Sequence, residues 1–182
     1  MEISMKYPGA STQSGSLNIS RDFGQSFSRT DSLRELEQLV GLREVKRTIA
    51  ELTAFSLIQN RRNEMRLKTC PNALHMVFKG NPGTGKTTVA RILSKIFFDL
   101  GILSKGHLVE GERADLVGEF IGHTAQKTRE MIRKSMGGIM FVDEAYTLAQ
   151  GGEKDFGLEA IATIVKAMED FRDNFIVILA GY

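Results

Sequence analysis

Cysteine is nearly absent from this 182-residue chain. The single Cys70 fits a reducing cytoplasm, because a lone thiol builds no disulfide framework. It also offers no help to His75, His107 and His123, which share no metal-ligand spacing and read as structural residues. Long apolar runs are missing as well. Nothing approaches the roughly 18 residues of a bilayer span, and the first residues lack a basic start followed by an apolar stretch, so neither an anchor nor a secretory leader is expected. Charge of one sign is the third absence: 24 Lys and Arg stand against 22 Asp and Glu, a formal charge of +2. Such a mixed surface argues against an obligate nucleic-acid binder, which presents a one-signed field.

What is present reads as one domain with a tail. Residues 1–30 are rich in Ser, Gly, Asn, Gln and Thr without period, and are expected to be disordered or loosely docked. From Asp31 the apolar spacing turns helical through Leu33, Leu36, Leu39 and Val40, with Asp31 or Ser32 as cap, and Gly41 ends the turn. A second helix is predicted from about Arg43 to Asn63, with Val45, Ile49, Leu52, Phe55 and Ile58 on one face and a solvated basic face opposite.

Beyond Pro71 strands and helices alternate. Strands are predicted at Leu74–Lys79, His107–Glu110, Gly138–Asp143 and Phe175–Ala180, and helices at Lys86–Leu100, Thr124–Ser135 and Leu158–Phe171. Crossovers of that length imply an α/β fold whose parallel sheet is covered by helices on both faces. The eight methionines scatter through these elements as core filler, and Glu169 and Asp170 read as a solvated helix end.

Gly80-Asn81-Pro82-Gly83-Thr84-Gly85-Lys86-Thr87 matches the pattern of a phosphate-binding loop, and it lies between an apolar strand and an amphipathic helix, where that mechanism needs it. A chance match somewhere in the chain has a probability on the order of 1%. Small residues at Gly80, Gly83 and Gly85 let backbone N–H groups wrap an anion at a helix N-terminus. Lys86 brings a positive charge to the β- and γ-phosphates of ATP, and the Thr87 hydroxyl is a ligand for Mg²⁺. Asn81, Pro82, Thr84 and Thr88 complete the expected cradle. Farther on, Ile139-Met140-Phe141-Val142 runs into Asp143-Glu144, which puts two carboxylates at the C-terminal edge of the sheet, where such folds bind ligands. Asp143 is suited to hold the metal and Glu144 to polarise the attacking water. A carboxylate directly after the metal-binding Asp favours hydrolysis over phosphoryl transfer to a metabolite.

These motifs, with Leu39-Val40-Gly41-Leu42 upstream, resemble the AAA+ ATPases, and the resemblance implies that Val40 and Gly41 pack near the adenine. Three further stretches, Arg113–Thr128, Phe141–Tyr146 and Gly151–Gly157, make the chain similar to the CbxX/CfxQ family within that class from about Leu33 to Tyr182. The resemblance implies a cytoplasmic hexameric ring that uses ATP to pull on a polypeptide client, with endospore formation as one setting. Some members act on Rubisco, and nothing in the sequence selects that client.

On this resemblance Phe120, with Ile121 and Gly122, lies on a loop facing the central pore, and Gln150–Gly157 forms a second such loop with Lys154 and Phe156 as contacts. An aromatic between two glycines ahead of a helix is well placed to grip chain, while local packing of Phe120 is the alternative. The family's polar sensor is expected near Tyr182, and the fifth strand, arginine finger and helical lid beyond it. Without a fifth strand the phosphate-loop strand is expected to stand as an unpaired edge, which invites aggregation. Two other readings stay open: an ATP-dependent assembly module with negligible turnover, and a nucleic-acid remodeller whose binding would fall steeply with salt.

Overall fold

The computed structural model describes residues 1–4, 31–68, 73–120, 122–150 and 156–182. In chain order the elements are β1 (Glu2–Ser4), α1 (Asp31–Gln38), α2 (Arg43–Glu64), β2 (Met76–Lys79), α3 (Lys86–Asp99), β3 (Leu108–Gly111), α4 (Arg113–Leu116), α5 (His123–Ser135), β4 (Ile139–Val142), a 3₁₀ turn (Ala145–Ala149), α6 (Gly157–Asp170) and β5 (Ile176–Gly181). Among them no helix is long and apolar enough to cross a membrane. The predicted strands and helices after Pro71 all form, with boundaries moved by one or two residues.

Sheet order is β1-β2-β5-β4-β3. The pairs β2·β5, β5·β4 and β4·β3 are parallel, as expected, but β1 runs antiparallel to β2, with Glu2 opposite Lys79 and Ser4 opposite Val77. The parallel sheet forms as expected and gains one antiparallel edge strand, which corrects one expectation: the edge of the phosphate-loop strand is not bare. The physical reason is that an edge strand offers a row of unpaired N–H and C=O groups, which three residues of the chain's own start satisfy. Met1 and Ile3 also pack against the core. The rest of the expected tail, residues 5–30, lies outside the described residues.

Period-two alternation in the two central strands divides the apolar residues between the faces of the sheet. Ile139 and Phe141 of β4, with Ile176, Ile178 and Ala180 of β5, join α1, α2 and α3 in one core; Phe97, Leu93, Ile49 and Leu52 fill it. Met140, Val142 and Val177 point the other way, against Leu116, Ile132, Ala160 and Ile164 of the second layer. Each such fully buried aliphatic or aromatic side chain contributes about 1.5–3 kcal/mol. The second layer stops short of β2. Met76 and Phe78 are buried while Val77 and Lys79 are exposed, so this strand is buried on one face.

His75 leads into β2 and is pinned from both sides. The Val177 N–H donates to Nδ1 at 3.0 Å, and Nε2 lies 3.1 Å from the Met168 carbonyl at the end of α6. This arrangement requires a neutral ring with its proton on Nε2, donated to a carbonyl that the helix end leaves unpaired. Burial pushes the His75 pKa below its ordinary 6.5, with the Met168 bond opposing in part. A group whose folded pKa is depressed binds its proton more readily in the unfolded chain. Its contribution is therefore whole above about pH 6.5 and is lost as pH falls toward the folded pKa. Melting temperature followed from pH 8 to 5 should fall across that window in the wild type and fall less in His75→Gln.

Candidate functional site

The parallel register gathers four strand ends on one edge. Lys79 lies opposite Gly181, Val142 opposite Leu179, and Gly111 opposite Val142, so Gly80, Asp143, Glu112 and Tyr182 all leave the sheet on the same side. A cavity of about 390 Å³ opens there, lined by Pro82, Gly83, Gly85, Lys86, Thr87 and Thr88 from the loop, Asp143 and Glu144 from the end of β4, and Gly181 and Tyr182 from the end of β5. The two sequence motifs thus meet in one cavity.

The loop owes its shape to two left-handed glycines, Gly83 at φ 75° and Gly85 at φ 85°. Gly85 is the cap of α3 and offers no side chain to its first-turn N–H groups. Those groups, with the positive end of a 14-residue helix, remain for an anion. Lys86 curls back over the loop, donating to the Gly80 and Asn81 carbonyls at 2.8 and 3.1 Å, while the Thr84 hydroxyl donates to the Asn81 carbonyl at 2.8 Å. Gly80 itself is tied to β5 through its N–H and the Gly181 carbonyl at 3.0 Å.

The carboxylate side is less regular. Glu144 sits at φ 45° and ψ 41°, the left-handed region that costs a non-glycine residue about 1–2 kcal/mol. Its N–H donates to Asp143 Oδ1 at 2.9 Å, and its carbonyl accepts the Thr147 N–H at 2.8 Å. The turn is further held by Arg113, whose Nη1 donates to the Thr147 carbonyl at 2.7 Å, and by buried Leu148. Strain of this kind persists only where the surroundings fix it, and it concentrates at working sites.

The donors suit a hydrated divalent cation that arrives with a phosphate. Thr87 and Asp143 line the same space, and among the described residues no group of three or more His, Cys, Asp or Glu could hold a metal by itself. A cation there would share its shell with phosphate and water, which is the habit of Mg²⁺.

Other expected residues lie elsewhere. Val40 and Gly41 stand outside the cavity: Val40 is 98% exposed, and Gly41 at φ 75° turns the chain between α1 and α2. Lys46 fastens that turn by donating to the Glu37 and Leu39 carbonyls at 2.8 Å each. Phe120 is 64% exposed and meets the His123 ring edge-on, with centroids 5.5 Å apart. Gly122 follows at φ 82° as the cap of α5, and Ile121 lies outside the described residues. Of the second expected loop, Lys154 also lies outside them, and Phe156 is the half-buried cap of α6.

Sequence reasoning missed the far walls. Gly181 and Tyr182 line the phosphate cavity. Glu110, Gly111, Glu112 and Asp115 line a smaller one of about 240 Å³ shared with Thr87 and Asp143. The acidic pair around Gly111 was available as a signal, since it ends a predicted strand on the ligand-binding edge. Glu110 is engaged by Arg91 of α3 in an ion pair.

Comparison with known proteins shows the family and the fold. Residues 76–182, more than half of the chain, match the family described as "ATPase family associated with various cellular activities (AAA)". The chain is 64% identical over 149 residues to stage V sporulation protein K of Bacillus subtilis, covering 82% of this chain and 46% of that protein. To protein CfxQ of Xanthobacter flavus it is 43% identical over 187 residues, covering 100% and 59%. It spans about half the length of these curated relatives. The crystal structure of the FIGL-1 AAA domain in complex with ADP is similar in fold, with a TM-score of 0.50 at 16% identity over 77% of this chain and 46% of that one.

Proposed function

Since the chain belongs to the AAA ATPase family, we propose that it binds ATP with Mg²⁺ at the Gly80–Thr88 loop, hydrolyses it, and within a ring of like subunits uses the cycle to pull on a polypeptide. The observation that carries the reading is the shared cavity of Lys86, Thr87, Asp143 and Glu144. The first-turn N–H groups of α3 and the Lys86 ammonium bind the phosphates. In that arrangement Thr87 and Asp143 hold the Mg²⁺, which supplies charge neutralisation as the bond to the γ-phosphate breaks. Glu144 orients a water and takes its proton. Val40 and Gly41 are assigned to the adenine end, where an almost fully exposed valine leaves apolar surface to cover. The mechanical part rests on Phe120: exposed, aromatic and on a short connection between α4 and α5, it is shaped to grip chain rather than to fill a core. The mixed surface charge supports a polypeptide client over nucleic acid. The 64% identity to a protein named for sporulation supports endospore formation as the setting.

Removal of the metal tests the site. With excess chelator, phosphate release from ATP should fall to background and return on addition of Mg²⁺, while a fluorescent ADP analogue stays bound because the loop and helix N-terminus remain. Turnover that persists without divalent cation would contradict the assignment of Thr87 and Asp143.

A further inference from the structure

The turn that carries Glu144 is docked onto the sheet by a residue that none of the motifs includes. Two positions after Glu144, the Tyr146 ring lies against Gly181, so close that a Cβ placed there would come within 3.2 Å of the ring. It meets Tyr182 edge-on, with centroids 5.0 Å apart at 74°. The Tyr146 pKa is pushed up to about 12, first by its hydrogen bond to Tyr182, then by desolvation and by the charges of Glu144, Tyr182 and Asp143.

Gly181 stands at a junction. Its carbonyl accepts the Gly80 N–H, the first residue of the phosphate loop, and its Cα faces the Tyr146 ring. The loop that holds phosphate and the turn that aims Glu144 are therefore both referenced to the last residues of β5. The hydrogen bonds from Asp143, Thr147 and Arg113 fix the inner side of the Glu144 turn. On the outer side the ring of Tyr146 holds it against the sheet.

We propose that Tyr146 is a positioning residue for Glu144: its ring, seated on Gly181 and packed edge-on against Tyr182, keeps the left-handed turn that directs the Glu144 carboxylate into the phosphate cavity. Tyr146 does not line that cavity, whereas Tyr182 does. Its effect therefore passes through Glu144 rather than through contact with nucleotide. The inference rests on the reading of Glu144 as the carboxylate that activates water.

The test is a double-mutant comparison of MgATP turnover, KM and nucleotide affinity in wild type, Tyr146→Ala, Tyr146→Phe, Glu144→Gln, and each tyrosine change combined with Glu144→Gln. Displacement of a catalytic group by an ångström costs about 10²-fold, so Tyr146→Ala should lower kcat on that order with affinity for ATP held within about twofold. Tyr146→Phe keeps the ring on Gly181 and should hold kcat within about twofold of wild type. In the Glu144→Gln background neither change should slow the residual rate further, because both act through the group already removed. Equal slowing in both backgrounds, or a Tyr146→Phe variant as slow as Tyr146→Ala, overturns the proposal; Tyr146→Leu, which keeps an apolar side chain at Gly181 without the ring, carries the test should the Ala variant fail to fold. If Glu144→Gln itself keeps wild-type turnover, it is the reading of Glu144 that fails. A slow Glu144→Gln beside a fast Tyr146→Ala sinks only the positioning role.

Discussion

Glu144→Gln is expected to reduce ATP turnover by about 10²–10⁴-fold, the range general-base catalysis supplies, while leaving nucleotide bound. Glutamine matches glutamate in shape, can still hydrogen-bond water, and cannot take its proton. The backbone at this position is already set by the Asp143 and Thr147 bonds, neither of which involves the carboxylate. Binding and fold should therefore survive. Single-turnover measurements with labelled ATP separate retention from hydrolysis. A variant that hydrolyses at the wild-type rate would move the base elsewhere, and the acidic wall of Glu110, Glu112 and Asp115 beside Asp143 would be the place to look.

The second large effect falls on binding. Lys86→Ala removes the ammonium that now bridges the Gly80 and Asn81 carbonyls and that is assigned to the phosphates. A hydrogen bond to a charged partner is worth about 1.5–3 kcal/mol, which corresponds to roughly 10- to 100-fold weaker ATP binding. Turnover at subsaturating ATP should fall by at least that factor. The substitution does not touch a core residue, and Lys86 heads a helix whose inner face, Val89 to Phe97, stays packed, so melting temperature without nucleotide should move little. Loss of the folded state in Lys86→Ala would mean that the ammonium chiefly braces the loop.

How far such conclusions could be read from the chain itself differs by feature. The Gly80–Thr87 segment was legible as a tight turn between strand and helix because Gly83 and Gly85 stand where the backbone turns left-handed, and the strand that precedes it carries Met76 and Phe78 at core positions. Asp143 and Glu144 were legible because an unbroken apolar strand delivers them to the ligand edge of a parallel sheet. The core faces of α2 and α3 followed from helical periodicity except at Ile58, which was placed inward and is exposed.

Other features had no local signal. Glu2-Ile3-Ser4 is three residues within a polar, aperiodic stretch, and only the exposed edge of β2 gives it a partner. The left-handed turn at Glu144 is held by contacts from Arg113 and the 3₁₀ segment, against the intrinsic preference of glutamate. The pairing of Tyr146 with Tyr182, like the double anchoring of His75 by Val177 and Met168, joins residues distant in sequence through the sheet register. Tertiary placement decides each of these, and no window of the sequence contains it.

One claim is central: a single site made by the loop and the end of β4 first binds MgATP and then uses Glu144 to hydrolyse it. The most direct measurement is the occupancy and chemical state of labelled ATP on wild type, Lys86→Ala and Glu144→Gln after equal incubation with Mg²⁺. Wild type should carry mostly ADP, Glu144→Gln should carry unhydrolysed ATP, and Lys86→Ala should carry little of either. ADP on Glu144→Gln in the wild-type proportion, or full ATP occupancy on Lys86→Ala, would contradict it.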